Sequence, residues 1–384
     1  MTTTKKIIAI ISPEYSGNKL FDGGLASFLD KFINLIGSDY DVHLITPSKN
    51  NKITNKKNFI LHEVKLNFFI KIIKFTKIKL LIYLFYYPLQ SFILNNYLKK
   101  IAYKPDIYFY TNFEYVSLFQ PNNINSIVRI SSFDQIWFQR GLLSKSLSKI
   151  YDYIVLNKCD QIWSTSNFIS RYIDKKFNKK IIYTPPFINY SPKYKLKQTL
   201  QKIKNRNFLL FIGTISERKG VHLLKELFLE IYKRDKKYKF VIIGRDTKNY
   251  FTSTYRKYFD NQTFSKNCIY FKVKKKKFFF PLIKYANAVI IPSLVETSPN
   301  ILQEVLINNG IPICSNNTSM EELLKNDQNF LFKNNDVNDL IKKTLKLLFN
   351  DKNKLLKKIK VFKKMLYAKE RQEIILKNLS VLLK

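Results

Sequence analysis

Apolar positions along this chain fall into two successive series of strands and helices. Residues 7–12, IIAIIS, form a continuous apolar run, the pattern of a strand buried on both faces of a parallel sheet. After a polar loop, Leu25, Phe28, Leu29, Phe32, Ile33 and Ile36 recur at helical spacing, with Gly37 just beyond them. DVHLITPS (41–48) is the next strand. A strand–helix–strand opening predicts a parallel sheet covered by helices. Strands are also predicted at PDIYFY (105–110), SIVRIS (126–131), QIWSTS (161–166) and KIIYTPP (180–186). Residues 187–206 are polar and read as a linker or a mobile helix. The alternation then resumes with strands at FLLFIG (208–213), YKFVIIG (238–244), NCIYFKV (267–273), AVIIPS (288–293), IPICSN (311–316) and NFLFK (329–333). GVHLLKELFLEIYKR (220–234) reads as a helix, and the tail from Val337 is helical and basic. The expectation is an α/β protein of two doubly wound, Rossmann-like units, without a short-period repeat.

Residues 59–101 break this pattern. Lysines alternate with Phe, Ile, Leu and Tyr in NFFIKIIKFTKIKLLIYLFYY (67–87). Such a segment lies either on an anionic membrane surface, as a basic amphipathic helix, or on the sheet, as a pair of surface helices. The uncharged run 80–98 is long enough to span a bilayer, but Pro88, Gln90, Asn95 and Asn96 favour a buried or interfacial helix pair.

Composition narrows the picture. The 384 residues exceed one core, and 46% hydrophobic content excludes global disorder. A net charge of +39 favours anionic partners, although a chain crowded with Lys, Asn, Ile, Phe and Tyr also suggests AT-rich coding. Cys159, Cys268 and Cys314 have neither metal-ligand nor disulfide spacing, which fits a reducing cytosol. The N-terminal apolar stretch is too short for a secretory signal.

Three stretches carry candidate chemistry. In VETSPNILQEVLINNGIP (295–312), Ser298 suits an N-cap, Pro299 the first helical turn and Gly310 the C′ position. Ile301, Leu302, Val305 and Leu306 form its apolar stripe, and Glu304 points roughly 130° from the stripe's centre. On pattern alone Glu304 is solvated. However, ligands bind outside the carboxyl ends of parallel strands, and a helix start there offers N–H groups to a phosphate. GTISERKG (213–220) also links a strand to a helix, and its adjacent Arg218 and Lys219 could clamp a diphosphate or simply be solvated. FDGGLASFL (21–29) puts Gly23 and Gly24 at a helix start, where the backbone can approach a ligand or form a plain turn.

Taken together, these stretches resemble the family 4 glycosyltransferases (glycosyl transferases group 1), retaining nucleotide-sugar enzymes of GT-B fold. The resemblance is clearest from Phe208 to about Asn316. It implies an acceptor-side domain over 1–190 and a donor-binding domain over 191–365, facing each other across a cleft. Residues 366–384 would form a helix crossing back to the first domain. Arg218 and Lys219 would hold and stabilise the leaving diphosphate, Glu304 would bind the ribose, and Glu296 would sit near the donor sugar. Gly213, Thr214, Pro299, Asn300 and Ile301 would line the donor site, with Gly23 and Gly24 approaching the diphosphate. The implied reaction moves a sugar to a glycan or lipid-linked glycan in bacterial surface polysaccharide synthesis. The implied setting is cytoplasmic, peripheral to the inner face of the membrane. The nucleotide sugar is a co-substrate, and neither a cofactor nor a metal is expected.

There are departures from the family. Thr214 stands where many members have arginine. The stretch VRISSFDQIWF (128–138) lacks the family's acceptor-side histidine, leaving Asp134 as the available carboxylate and Arg129 as a nearby cation. His43, His62 and His222 read as structural. DYD (39–41) mimics a metal-binding Asp-x-Asp but precedes a strand, at the wrong edge of a parallel sheet for a site. Two rival readings remain: a basic protein that binds nucleic acid, which the candidate site motifs disfavour, and an inactive membrane-surface scaffold of the same fold.

Overall fold

The first apolar run forms β1 (Ile7–Ile11), followed by α1 (Gly24–Ile36) and β2 (Asp41–Ser48). The chain continues through β3 (Lys52–Asn55), β4 (Ile60–Lys65) and α2 (Phe68–Thr76), then a π-helical turn, Ile82–Tyr86, that leads into α3 (Tyr87–Lys100). Next come β5 (Ile107–Thr111), β6 (Ser126–Ile130), α4 (Leu142–Lys158), β7 (Gln161–Ser164), α5 (Asn167–Asp174) and β8 (Ile181–Tyr183). The computed structural model describes residues 5–383 except 16–23, 77, 113, 123, 132–141, 175–180, 185–186, 188–199, 202, 204–206, 247–265, 273–275, 298–299 and 368. Contacts divide the chain into two units: Met1–Asn189 with Lys369–Lys384, and Tyr190–Ala368.

In unit 1 the strand order is β3-β4-β2-β1-β5-β6-β7-β8, parallel except for the β3–β4 pair. Alternation sends Ile8 and Ile10 to the face covered by Leu29 and Phe32 of α1. Ala9 and Ile11 face the other layer, with Tyr83 and Leu94. Burial on both faces explains why β1 and β5 read as continuous apolar runs.

In residues 59–101 the lysine-rich stretch 67–87 is largely helical, as its spacing suggests, and only the residues before it join the sheet. Residues 60–65 form β4, an interior strand beside β2, instead of the start of a basic helix. His62 is buried there because His43 and Tyr97 bond its ring nitrogens, each at 2.9 Å. Burial, with the neighbouring His43, pushes its pKa down to about 4. Of the polar residues of the run 80–98, Gln90, Ser91 and Asn95 are also buried, and Asn96 is half-buried. Asn95 Nδ2 donates to Val116 O at 2.9 Å and its Oδ1 accepts from Tyr110 at 2.7 Å. Among the described residues no helix is long and apolar enough to cross a membrane.

Unit 2 begins with β9 (Phe208–Ile212), two 3-10 turns, Glu217–Lys219 and Val221–Leu223, and α6 (Leu224–Arg234). Then follow β10 (Lys239–Ile243), β11 (Cys268–Phe271), α7 (Lys276–Ile283), β12 (Ala288–Ile291), α8 (Asn300–Ile307), β13 (Pro312–Ser315), α9 (Ser319–Leu323), β14 (Leu331–Phe332), α10 (Val337–Phe349) and α11 (Lys352–Leu366). The sheet order is β11-β10-β9-β12-β13-β14, all parallel. Numbered from the first strand this is 3-2-1-4-5-6, so the winding reverses between β9 and β12, where open α/β sheets bind ligands. The last helix, α12 (Lys369–Val381), belongs to unit 1, and its Ile375 and Leu379 join the core of Ile8 and Phe32.

The end of α8 differs from the sequence expectation. The left-handed residue is Asn309, with φ of 56°, and Gly310 follows it. Gly310 N donates to Val305 O at 2.9 Å and Asn309 N to Leu306 O at 3.1 Å, the two bonds of a Schellman motif. Gly310 is needed for space: a Cβ there would strike Ile283 and Val305. The buried face also shifts. Gln303 is buried while Ile301 is only half-buried.

Candidate functional site

The loops leaving β9 and β12, the strands that flank the reversal in unit 2, are held together. Gly220 has φ of 68°, and a Cβ on it would drive into the Pro292 carbonyl, so only glycine allows the approach. Leu294 N donates to Arg218 O at 2.9 Å. Across the same gap Lys219 Nζ meets Glu296 Oε2 at 2.5 Å. Glu296 is 5% exposed, a depth at which a carboxylate needs a cation. Burial weakens the basicity of Arg218, and Glu296 partly restores it. Burial, then the charge of Glu296, pushes the thiol of Cys314 well up, so this cysteine is no nucleophile.

The loop that carries Glu296 is braced from further along the chain. Ser319 N donates to Glu296 O at 2.9 Å, Asn334 Nδ2 to Leu294 O at 2.8 Å, and Ser315 Oγ to Ser293 O. No local sequence signal marks these three residues. Asn300 and Ile301 open α8 four residues after Glu296, and Glu304, half-buried, stands in its second turn. Gly213 and Thr214 are half-buried at the end of β9. The structure thus gathers Arg218, Lys219 and Glu296 in unit 2, with Glu304 on the adjoining helix. Gly24 begins α1 of unit 1. Gly23, Asp134, Ser298 and Pro299 lie outside the described residues. Chemically, the unit 2 group can offer cations and helix N–H groups to a diphosphate and carboxylates to hydroxyls.

Unit 1 has a second cluster, at its own reversal between β1 and β5. Lys74 Nζ meets Glu114 Oε1 at 2.7 Å and donates to Tyr86 Oη at 3.0 Å, while Tyr86 Oη donates to Glu114 Oε2 at 3.1 Å. Glu114 and Tyr115 are both left-handed, with φ of 56° and 51°, a strained pair for non-glycine residues. Glu14, in the loop after β1, is pushed up to about 7 by burial and then by the charge of Glu114, with Lys74 opposing. Asn112, at the end of β5, is buried, and its Oδ1 has no partner among the described residues. Such a group can hold hydroxyls and exchange a proton near neutral pH. Sequence reasoning missed it because positions 14, 74, 86 and 114 share no motif. The available hint was a carboxylate a few residues past each of two strand ends.

Residues 193–364 match the family model described as glycosyl transferases group 1. No curated protein matches the sequence. Among solved structures, a sucrose-phosphate synthase from Thermosynechococcus elongatus is 13% identical, with a TM-score of 0.78 and 99% of both chains covered. An E. coli trehalose-6-phosphate protein bound with UDP-2-fluoro glucose is 12% identical, with a TM-score of 0.78 and 99% of both chains covered. An α,α-trehalose-phosphate synthase (UDP-forming) from Burkholderia xenovorans, in complex with glucose-6-phosphate, is 10% identical, with a TM-score of 0.73, covering 99% of this chain and 100% of that one. The fold is α/β, with two Rossmann-like parallel sheets of the GT-B class.

Proposed function

We propose that the protein is a retaining glycosyltransferase of the family 4 kind, taking a nucleotide-diphosphate sugar in unit 2. The observation that carries this reading is the Lys219–Glu296 pair at the β9–β12 reversal, inside the stretch that matches the family model. Arg218 and Lys219 receive the diphosphate, and Glu304 takes the ribose hydroxyls. The acceptor hydroxyl bonds to the anomeric carbon on the face the diphosphate leaves. The electrons of the broken C–O bond pass to the phosphate oxygen, which also takes the hydroxyl proton. Fixed cations stabilise the charge as it grows, so no metal is called for. The acceptor is a glycan or lipid-linked glycan, and the setting is bacterial surface polysaccharide assembly. A peripheral position on an anionic membrane is supported by α2, where Phe68, Phe69 and Phe75 are 73%, 77% and 78% exposed beside a basic segment.

The test is a nucleotide-sugar panel read by release of nucleoside diphosphate, with and without EDTA, and with anionic vesicles in a flotation arm. Expected are release from one donor with retention at the anomeric carbon, indifference to EDTA and flotation of the protein. Lys219→Ala lowers turnover by about 10²–10³-fold. Stabilisation by duplex DNA, with none by any nucleotide, would instead establish the nucleic-acid reading.

A further inference from the structure

The turn between β14 and α10, residues 333–336, is remote in sequence from the reversal in unit 2 but bonds to both of its loops. On one side Asn334 Nδ2 donates to Leu294 O at 2.8 Å, in the loop after β12. On the other, Asn335 Oδ1 pairs with His222 Nε2 at 3.0 Å, just past the turn that carries Arg218 and Lys219. An amide oxygen only accepts, so this ring nitrogen carries the proton. Leu294 N in turn donates to Arg218 O at 2.9 Å. From Arg218 the connections run to Leu294, to Asn334, along the backbone to Asn335, to His222 and back through Gly220. They form a closed ring over three segments of the chain.

The turn that closes the ring is itself fixed. Asn334 N donates to Asn316 Oδ1 at 2.8 Å, and Asn316 N donates to Phe332 O at 2.8 Å. Asp336 caps α10 by accepting from Asp339 N at 3.0 Å, while Asp339 Oδ2 accepts from Lys333 N at 2.7 Å. Asn335 is left-handed, with φ of 58°, a conformation asparagine tolerates. The ring carries the charged group of the site. Arg218 and Lys219 lie within it, and Glu296 stands two residues beyond Leu294. Cations stabilise a developing charge without reorganisation only when their backbone is held, and a displacement of about 1 Å can cost about 10²-fold in rate.

We propose that Asn334, Asn335 and His222 are positioning residues for the diphosphate-binding group of unit 2, acting as one unit by closing this ring. They act through Arg218, Lys219 and Glu296 and not on the ligand. What the ring serves rests on the glycosyltransferase reading, whereas the ring itself does not. Separate struts would each hold their own loop. A ring opened at any one bond is open everywhere, so the effects of opening it twice do not add.

The test uses the full chain and two readouts: kcat and donor KM from nucleoside diphosphate release, and amide hydrogen exchange at Leu294 without ligand. The two asparagine bonds have opposite polarity. Asn334 donates, so Asn334→Asp loses its bond, whereas Asn335 accepts, so Asn335→Asp keeps its own. Asn335→Gly keeps the left-handed backbone and deletes the bond. Asn334→Asp, Asn335→Gly and His222→Ala should each lower kcat about tenfold while changing KM less than about threefold, because the loss falls on the transition state. Asn335→Asp should recover most of the loss seen in Asn335→Gly. The double variant of Asn334→Asp with His222→Ala should be no slower than the slower single variant. Leu294 should exchange faster in both single variants, although His222 does not bond to it. Losses that multiply in the double variant overturn the ring, as does a lowered melting temperature with kcat and KM unchanged. If the wild type releases no nucleoside diphosphate, the enzyme reading fails and exchange decides the ring. Faster exchange at Leu294 in His222→Ala then upholds it, and exchange altered only by Asn334→Asp overturns it. Should Asn334→Asp not fold, Asn335→Gly replaces it in every comparison: faster Leu294 exchange and a kcat loss that does not multiply with His222→Ala uphold the ring, and the reverse overturns it.

Discussion

The two sheets each reverse their strand order once, and the loops at the two reversals meet their charges differently. In unit 2 Glu296 is matched by Lys219, and backbone bonds from Leu294 and Ser319 fix the loop around the pair. In unit 1 Glu14 and Glu114 share Lys74, two consecutive residues are left-handed, and Arg129 on β6 is buried with no ion pair among the described residues. A group whose charges are met within the chain is preorganised when empty. One whose charges are unmet gains stability from whatever ligand supplies them. The contrast can be broken by removing one partner on each side. Glu296→Ala leaves Lys219 in a half-buried site without its carboxylate and should cost unit 2 about 3 kcal/mol, with part of the loss recovered in the double variant with Lys219→Ala. Glu114→Ala should cost less, because Lys74 is 40% exposed and Glu14 is relieved of repulsion. Hydrogen exchange in each unit is the measurement, and equal losses would end the distinction.

A smaller effect separates the units by pH. Folding raises the pKa of Glu14 from 4.5 to about 7, so the folded protein holds that proton more tightly than the unfolded chain. Stability from this group therefore falls as pH rises from 4.5 to 7 and stays low above it. His62 acts in the opposite sense. Its pKa falls from 6.5 to about 4, so its contribution grows as pH rises from 4 to 6.5. The two oppose each other over most of that range. Glu14→Gln should remove one of them, leaving stability that climbs from pH 4.5 to 6.5 and exceeds wild type at pH 8 by about 2 kcal/mol. Trp137 and Trp163 both fall in unit 1, so urea unfolding followed by tryptophan fluorescence reports on this unit. A variant with the wild-type pH profile would show that Glu14 titrates as an ordinary carboxylate.

The same contrast explains what could be read from the sequence. Strands buried on both faces, such as residues 7–11 and 208–212, announce themselves as apolar runs. Arg218, Lys219 and Glu296 can be picked out because each follows a recognisable strand closely. β4 is hidden because ILHEVK carries three charged or titratable residues, and the burial of His62 depends on His43 and Tyr97 from other elements. The unit 1 cluster is hidden for the same reason. Glu14, Lys74, Tyr86 and Glu114 meet only through the order of strands in the sheet, which no local pattern encodes. The position of Gly310 shows a finer limit. A glycine after a helix suggests a left-handed cap, but steric crowding by Ile283 and Val305 is what requires it, and Asn309 takes the left-handed turn.

That turn gives the smallest test of the comparison. Asn309 is left-handed in unit 2, as Glu114 and Tyr115 are in unit 1, but asparagine tolerates this conformation better than other side chains. Asn309→Gly removes what strain is left and gives up the exposed bond from Lys363 Nζ to Asn309 Oδ1, 3.0 Å long. The net gain should be no more than about 0.5 kcal/mol, because glycine loses more backbone freedom on folding while relieving little. Calorimetric unfolding of wild type and variant measures it. A gain well above 1 kcal/mol would mean that the backbone of unit 2 is held under strain at this cap as well as at Lys325 and Asn326, its own consecutive left-handed pair. Strain would then no longer distinguish the unit 1 loops, and the contrast between the two reversals would rest on charge alone.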